Sequence, residues 1–292
     1  MNASLHRLPR GPAQLALVAV GIAAAVLLSS CAAPPPRQTS TRKPATQKVE
    51  SHERHQAPAR VSETKPAAPS IQESPTALPP HTSPKPRRRY AGFPGEIAHA
   101  GSGTRVALTF DAGASSVPTP SILKTLRDNG LHVTFFLTGK WCEKNPELVR
   151  QIAAEGHEIG NHTYSHPDLR KCTDEEIIDQ LARTEELVRS LTGRSTKPYF
   201  RPPFGGRDRR VLQVAGEQGY TSVYWSLDCL DAYKKGITAD QITQRVLDRI
   251  QGGDIVLMHC GSAATAQALP ELIAKLKERE FEIVKVSELA SN

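Results

Sequence analysis

The chain has 292 residues and a formal net charge of +7, which at first suggests a polyanionic partner. The charge is uneven, however, at +2 over residues 1–31, +7 over residues 32–89 and −2 over residues 90–292. The basic excess therefore belongs to a stretch that holds about half of the 23 prolines, and the remainder is close to neutral. This distribution argues against a nucleic-acid partner and favours a solvated basic spacer.

The first predicted element is an export signal. Arg7 and Arg10 precede an apolar stretch over residues 15–28. Its length of roughly 14 residues is short of the roughly 20 that a transmembrane helix needs, but it suits the apolar region of a signal peptide. Leu28-Ser29-Ser30-Cys31 resembles a bacterial lipobox, in which Cys31 is lipidated and becomes the new N-terminus. The alternatives are a secretory signal cleaved elsewhere and an uncleaved anchor.

Three regions are expected in chain order. Residues 1–31 form the signal peptide with its lipobox, and residues 32–95 form a disordered, basic, Pro-rich tether, because they cannot bury enough apolar surface to offset their ordering entropy. Residues 96–292 form the folded domain. The expected product is an exported lipoprotein anchored to a membrane, in the outer membrane and periplasm if the cell is diderm. A coil of about 60 residues spans on the order of 45 Å, which lets the domain reach an envelope polymer.

Strand and helix patterns alternate through the folded domain, which predicts a parallel sheet covered by helices. Seven strands are predicted, at residues 105–110, 132–137, 157–161, 199–201, 222–227, 254–258 and 281–286. Six helices are predicted, near residues 120–128, 146–155, 174–191, 207–218, 239–250 and 264–279. Capping boxes pair Thr173 with Glu176 and Thr238 with Gln241. A distorted barrel and an open doubly wound sheet both fit, and both place chemistry at the C-terminal ends of the strands.

Five motifs fall at those strand ends. They are Asp111 after the first strand, His162 and His166 after the third, Arg201-Pro202-Pro203-Phe204-Gly205 after the fourth, Asp228-Cys229-Leu230-Asp231 after the fifth, and Leu257-Met258-His259 at the sixth. Their order and spacing resemble the NodB-type polysaccharide deacetylases (carbohydrate esterase family 4) across nearly all of residues 103–290. The resemblance implies an α/β fold, a distorted (β/α)7-type barrel, and a metal-dependent deacetylase.

The resemblance also implies roles for individual residues. Asp111 matches the general base, and His259 matches the general acid. His162 and His166 match two ligands of a divalent ion, with Zn²⁺ favoured and Co²⁺, Ni²⁺ or Mn²⁺ admitted. Arg201 matches the residue that orients the base. Asp231 resembles the acidic partner that supports the arginine and histidine side of the site, with Asp228 the weaker candidate for that role. The backbone N–H near Phe204 matches a donor to the oxyanion.

One position departs from the family pattern. Position 112 is an alanine, where most of the family has a second aspartate that binds the metal. Three outcomes stay open: Asp111 contacts the ion or its water, another carboxylate such as Asp168 or Asp208 substitutes, or the protein binds glycan without hydrolysing it. The retention of a base, an acid and two imidazoles favours the enzyme.

The expected substrate is an N-acetylated amino sugar in an envelope polysaccharide, with peptidoglycan favoured over chitin-type oligosaccharides and exopolysaccharide. The catalytic domain is expected to be monomeric. Four cysteines remain besides the predicted lipidation site. They allow two disulfides in an oxidising compartment, Cys229 with Cys260 and Cys142 with Cys172, or else four free thiols.

Overall fold

The computed structural model describes residues 92–101 and 103–291, all within one of the two units into which the chain divides, Thr76–Asn292. The predicted signal peptide, Cys31 and nearly all of the predicted tether lie outside the described residues. No helix within the described ranges is long and apolar enough to cross a membrane.

Within residues 92–101 and 103–291, eight strands form one parallel sheet that curls into a distorted barrel. Seven of them run in the order β5-β4-β3-β2-β1-β7-β6, and the eighth pairs with the start of β1. Their bounds are β1 Arg105–Ala112, β2 Thr134–Leu137, β3 Glu158–Asn161, β4 Tyr199–Phe200, β5 Thr221–Ser222, β6 Leu227–Asp228, β7 Ile255–His259 and β8 Glu282–Ile283. The central strand β1 thus pairs with three others, and the distorted α/β barrel expected from the sequence is confirmed.

In the described part of the chain, eight α-helices surround the sheet. They are α1 Thr119–Asp128, α2 Gly139–Lys144, α3 Pro146–Ala154, α4 Asp174–Thr192, α5 Arg209–Glu217, α6 Ala239–Leu247, α7 Ala263–Glu278 and α8 Val286–Ala290. The six predicted helices are present, and both predicted capping boxes are formed, at the N-termini of α4 and α6. The short helices α2 and α8 were not predicted, because neither is long enough to show a clear apolar period.

Side chains of β1 alternate between two environments. Leu108, Phe110 and Ala112 lie in the main apolar cluster, which contains the buried side chains of the surrounding helices. Ala107 belongs to a smaller cluster with Phe136 and Ile255 from neighbouring strands, on the inside of the curled sheet. Thr109 and Asp111 share that inner face by the two-residue period of a strand. The sheet therefore presents Asp111 inward, at the end of a strand that is buried along almost its whole length.

Two sequence predictions need correction. The single strand expected over residues 222–227 is two short strands, β5 and β6, because the carbonyls of Val223 and Tyr224 accept hydrogen bonds from the Arg201 side chain. The disulfide hypothesis is wrong, since Cys142, Cys172, Cys229 and Cys260 are all free thiols. Three of them are fully buried in the main apolar cluster, where a thiol packs as a small apolar side chain.

Candidate active site

A cavity of about 320 Å³ lies at the C-terminal ends of the strands. Four predicted site residues line it: Asp111, His162, His166 and His259. Its other lining residues come from the same strand-end loops and are Gly113, Ala114, Pro202, Phe204, Trp225, Ala232, Tyr233 and Leu257. The strand-end motifs, more than 140 residues apart in the chain at their extremes, therefore meet at one site, as parallel strand topology predicts.

Asp111 is held by a buried arginine. Arg201 is fully buried, and its Nη1 donates to Asp111 Oδ1 at 2.7 Å and to Thr109 Oγ1 at 2.9 Å. Burial alone would raise the pKa of Asp111, but the Arg201 guanidinium, with His162 and His259, lowers it below its usual value. Asp111 is thus an ionised carboxylate of fixed orientation at neutral pH, which is what a general base requires.

His162 and His166 place two imidazoles beside this carboxylate, with ring centroids 4.8 Å apart. His162 Nδ1 lies 2.7 Å from the Arg201 carbonyl oxygen, which can only accept, so Nδ1 carries the hydrogen. Nε2 then presents a lone pair, 3.5 Å from Asp111 Oδ2. Burial lowers the pKa of both histidines, that of His166 to about 4, so both rings are neutral at pH 7 and available as nitrogen donors.

His259 also lines the cavity, beside Asp111. In the sheet register it is the direct partner of Asp111 across β1 and β7. Its Nδ1 lies 2.7 Å from Asp231 Oδ1, and Asp231 Oδ2 accepts from the His259 backbone N–H at 2.8 Å and from Thr265 Oγ1 at 2.6 Å. Burial alone would lower the pKa of His259, but the hydrogen bond and charge of buried Asp231 outweigh it and raise the pKa. His259 can therefore hold a proton near neutral pH and donate it from Nε2.

The histidine side of the cavity fits a divalent ion, but it supplies only part of the ligands that an ion needs. His162 and His166 offer neutral nitrogen donors, and the hydrogen bond from His162 Nδ1 to the Arg201 carbonyl is the kind of support that orients metal-binding histidines. Within residues 92–101 and 103–291, however, no group of three or more His, Cys, Asp or Glu side chains is arranged to hold a metal ion. The residues present fit an ion held by two histidines, with Asp111 adjacent and solvent completing its coordination.

None of the suggested substitutes fills the position of the absent ligand. Ala112 itself is 1 % exposed, packs in the main apolar cluster and does not line the cavity. Asp168 forms a two-pronged ion pair with Arg170, and Asp208 caps the N-terminus of α5 through the Val211 N–H. Neither carboxylate lines the cavity.

Two positioning residues were missed from the sequence. Thr109 accepts from Arg201 and donates to the Val256 carbonyl at 2.7 Å, so it ties the arginine to β7. Thr265 lies in the first turn of α7 and donates to Asp231. A threonine at an inward-facing position of β1, two residues before Asp111, is the sequence signal that could have identified Thr109. Nothing in the sequence marks Thr265, because its contact depends on how α7 packs.

An ionised base and a histidine of raised pKa, side by side at neighbouring strand ends and close to two neutral imidazoles, define an α/β-barrel hydrolase with a partial ion site. Residues 99–223 match the family model described as polysaccharide deacetylase. The chain belongs to this family, the NodB-type deacetylases of carbohydrate esterase family 4. Enzymes of this family generally depend on a divalent metal ion.

Among its relatives, a peptidoglycan-N-acetylglucosamine deacetylase of Bacillus cereus is 41% identical over 192 residues, covering 63% of this chain and 69% of the relative. A chitooligosaccharide deacetylase of Bradyrhizobium sp. is 36% identical over 203 residues, covering 64% of this chain and 92% of the relative. The crystal structure of a family 4 pseudoenzyme from Bacillus anthracis matches with a TM-score of 0.62 and 32% identity, over 66% of each chain. A mutant of that pseudoenzyme with restored enzymatic activity matches equally well, with a TM-score of 0.62.

Proposed function

We propose that this protein hydrolyses the acetamide group of N-acetylated amino sugars in a bacterial envelope polysaccharide, with peptidoglycan as the substrate. The observation that carries the proposal is that Asp111 is paired with Arg201 and His259 with Asp231, at one cavity. The relatives named as peptidoglycan-N-acetylglucosamine deacetylases support the choice of polymer.

The geometry supports a two-proton mechanism. Asp111 takes a proton from water, whose oxygen forms a bond to the acetyl carbon. His259 gives its proton to the sugar nitrogen as the C–N bond breaks, so the products are a free amine and acetic acid, which ionises to acetate. Arg201 orients Asp111 and favours its ionised form, and Asp231 raises the pKa of His259 and so favours its protonated form. The Phe204 backbone N–H is proposed as a donor to the oxyanion. When bound at His162 and His166, a divalent ion, proposed to be Zn²⁺, supplies positive charge to the developing oxyanion.

The direct test is mass spectrometry of peptidoglycan and chitin oligomers incubated with protein that has been stripped with EDTA or loaded with Zn²⁺. A mass loss of one acetyl group per sugar is expected from the loaded protein. Asp111→Asn, which removes the base but keeps the shape, is expected to lower the rate by about 10²- to 10⁴-fold. Deacetylation of chitin oligomers alone would assign the substrate instead to the class named for the Bradyrhizobium relative.

A non-catalytic glycan-binding protein is the second candidate. Ala112 supplies no donor, and the chain resembles a family 4 pseudoenzyme. Under that alternative, no acetate appears with Zn²⁺, Co²⁺, Ni²⁺ or Mn²⁺, while binding to the glycan in a pull-down assay is retained. Retention of the base, the acid and their buried partners in one cavity favours the enzyme, because glycan binding alone does not need proton transfer groups.

We further propose that the enzyme is exported and tethered. The support is sequence pattern alone: residues 1–31 as a signal peptide, Cys31 as the lipidated residue, residues 32–95 as a tether and residues 96–292 as the catalytic domain. Incorporation of a labelled fatty acid in cells checks this, and Cys31→Ser is expected to abolish the label. Label that persists in the serine variant rules out Cys31 as the acceptor.

A further inference from the structure

The turn between the two metal-side histidines is built from unusual backbone. Thr163 and His166 have φ values of 66° and 62°, in the left-handed region that residues other than glycine rarely adopt. Such conformations persist only where the surrounding structure enforces them. The spacing of the two imidazoles therefore depends on what holds Thr163, Tyr164 and Ser165 in place.

Helix α2 and two side chains hold one side of this turn. The first two N–H groups of α2, from Gly139 and Lys140, donate to the carbonyls of Thr163 and Tyr164 at 3.0 and 2.9 Å. Asn161 Oδ1 accepts from the Thr163 N–H at 2.9 Å, and Thr163 Oγ1 accepts from the His166 N–H at 3.2 Å. These contacts satisfy the carbonyl groups and the two ends of the turn.

The centre of the turn is held by one residue of α4. Gln180 Oε1 accepts from the Tyr164 N–H at 3.0 Å, from the Ser165 N–H at 2.8 Å and from Ser165 Oγ at 3.3 Å. One amide oxygen thus receives three donors from two successive residues. The helix that carries it is fixed by a complete capping box at Thr173 and by buried residues along its inner face, including Leu181 directly after Gln180.

We infer that Gln180 is a positioning residue that sets the His162–His166 spacing before any ion arrives. An ion forms fewer bonds to the protein at a site with two protein donors than at a site with three. Its affinity for a two-donor site therefore depends more on having the donors already in place. Gln180 contributes this order without touching the ion, the substrate or either imidazole. The inference rests on the proposed ion-binding role of the two histidines.

The experiment compares three variants by Zn²⁺ affinity, measured in competition with a chromophoric chelator. Gln180→Leu removes the acceptor at similar size and is expected to weaken affinity by about 10- to 100-fold, the range seen when support behind a metal ligand is lost. Gln180→Glu keeps an oxygen acceptor and is expected to bind like the wild type. Gln213→Leu is the matched control, since the exposed Gln213 side chain donates to Glu217 on its own helix.

Two further readouts separate positioning from a general loss of structure. In ion-free protein, the Tyr164 and Ser165 amides are expected to exchange hydrogen faster in Gln180→Leu than in the wild type, and amides of β1 are expected to be unchanged. At saturating Zn²⁺, kcat of Gln180→Leu is expected to recover towards the wild-type value with KM for the glycan unaltered. Similar losses of affinity in Gln180→Leu and Gln213→Leu would overturn the inference.

The outcomes also distinguish the inference from the proposed function. Wild-type affinity in Gln180→Leu overturns the positioning role alone and leaves the ion site standing. A wild-type protein that binds no Zn²⁺ overturns both the ion-binding role of the histidines and the role of Gln180. If EDTA does not inhibit deacetylation by the wild-type protein, the ion-binding role of the histidines and the role of Gln180 are likewise overturned.

Discussion

The site contains two buried carboxylates, Asp111 and Asp231, that have different partners and different roles in proton transfer. Asp111 faces the Arg201 guanidinium, which lowers the pKa of the carboxyl and keeps it ionised. Asp231 faces His259, and its charge raises the pKa of the imidazole. Environments that separate the pKa values of two titratable groups assign one as base and the other as acid. The direction of each shift supports Asp111 as the base and His259 as the acid.

Asp231→Asn tests the acid. Removing the negative charge is expected to lower the pKa of His259, because the charge and hydrogen bond of Asp231 are what raise it. Activity that needs protonated His259 is lost as pH rises through that pKa, so the alkaline limb of kcat/KM should move to lower pH. The pH profile between 5 and 10 measures this. Asp240→Asn, on the exposed face of α6, is the control, and an unmoved limb in Asp231→Asn contradicts the assignment.

Ala112→Asp has two opposed effects. The Ala112 side chain packs among apolar residues, so an unpaired carboxylate there is expected to lower the free energy of unfolding of ion-free protein by about 3–5 kcal/mol. A carboxylate that turns towards the cavity adds a third donor, so Zn²⁺ affinity should rise. Denaturation with and without Zn²⁺ measures both. An Ala112→Asp variant with unchanged Zn²⁺ affinity shows that position 112 cannot reach the ion in this backbone.

At the scale of elements, the parallel strands explain why so much of the site was visible in the sequence. Asp111 and His259 lie at the ends of β1 and β7, and parallel strands bring their C-terminal ends to one edge. The histidine turn, Arg201 and Asp231 follow β3, β4 and β6. Gln180 and Thr265 could not be found in this way, because both reach the site from helix faces. Their contacts depend on how α4 and α7 pack, which neither residue type nor spacing encodes.

The division of one predicted strand into β5 and β6 has a similar origin. Residues 222–227 have strand-forming composition, yet Arg201 takes the carbonyls of Val223 and Tyr224 that a neighbouring strand would have used. A buried charged side chain from elsewhere in the chain outweighs local propensity here. The predicted strand over residues 222–227 is therefore interrupted by contacts of Arg201, a residue that the active site requires.

The contribution of helix capping to stability can be tested at α4. Thr173 Oγ1 accepts from the Glu176 N–H, and Glu176 Oε2 accepts from the Thr173 N–H. Thr173→Ala removes one half of this capping box and is expected to lower the free energy of unfolding by about 1 kcal/mol. Chemical denaturation measures the loss. Thr238→Ala at the matching box of α6 should cost a similar amount, and two variants as stable as the wild type would show that neither cap contributes.

Across the whole domain, the described N-terminal arm (residues 92–100) closes one side of the barrel. Ile97 pairs with Val223, and His99 pairs with Asp254. The Glu96 side chain is fully buried and accepts from Arg207 Nη2 at 2.8 Å and from Ser222 Oγ at 3.0 Å. The arm thereby holds Arg207, whose Nη1 donates to the Gly205 carbonyl in the loop beside the cavity.

Two truncations test whether the arm belongs to the folded domain. A protein that begins at residue 92 is expected to be as stable as the full chain. One that begins at residue 99 loses the carboxylate that Arg207 contacts, and the expected loss is about 3–5 kcal/mol, as for breaking other buried ion pairs. Urea denaturation measures both, and Glu96→Ala should reproduce most of the loss. Equal stability of the two truncated proteins contradicts a structural role for the arm.

The placement of base and acid as direct partners across β1 and β7 has a consequence for turnover. Each cycle leaves Asp111 holding a proton that began on water and leaves His259 without the one that it gave away. The enzyme is then in the reverse of its starting protonation state and cannot react again. The proton on Asp111 must leave and a proton must reach His259, by transfer between these neighbouring groups or by exchange with solvent. Resetting the site is therefore a separate step of the cycle, and a buffer that carries protons should accelerate turnover when that step limits the rate.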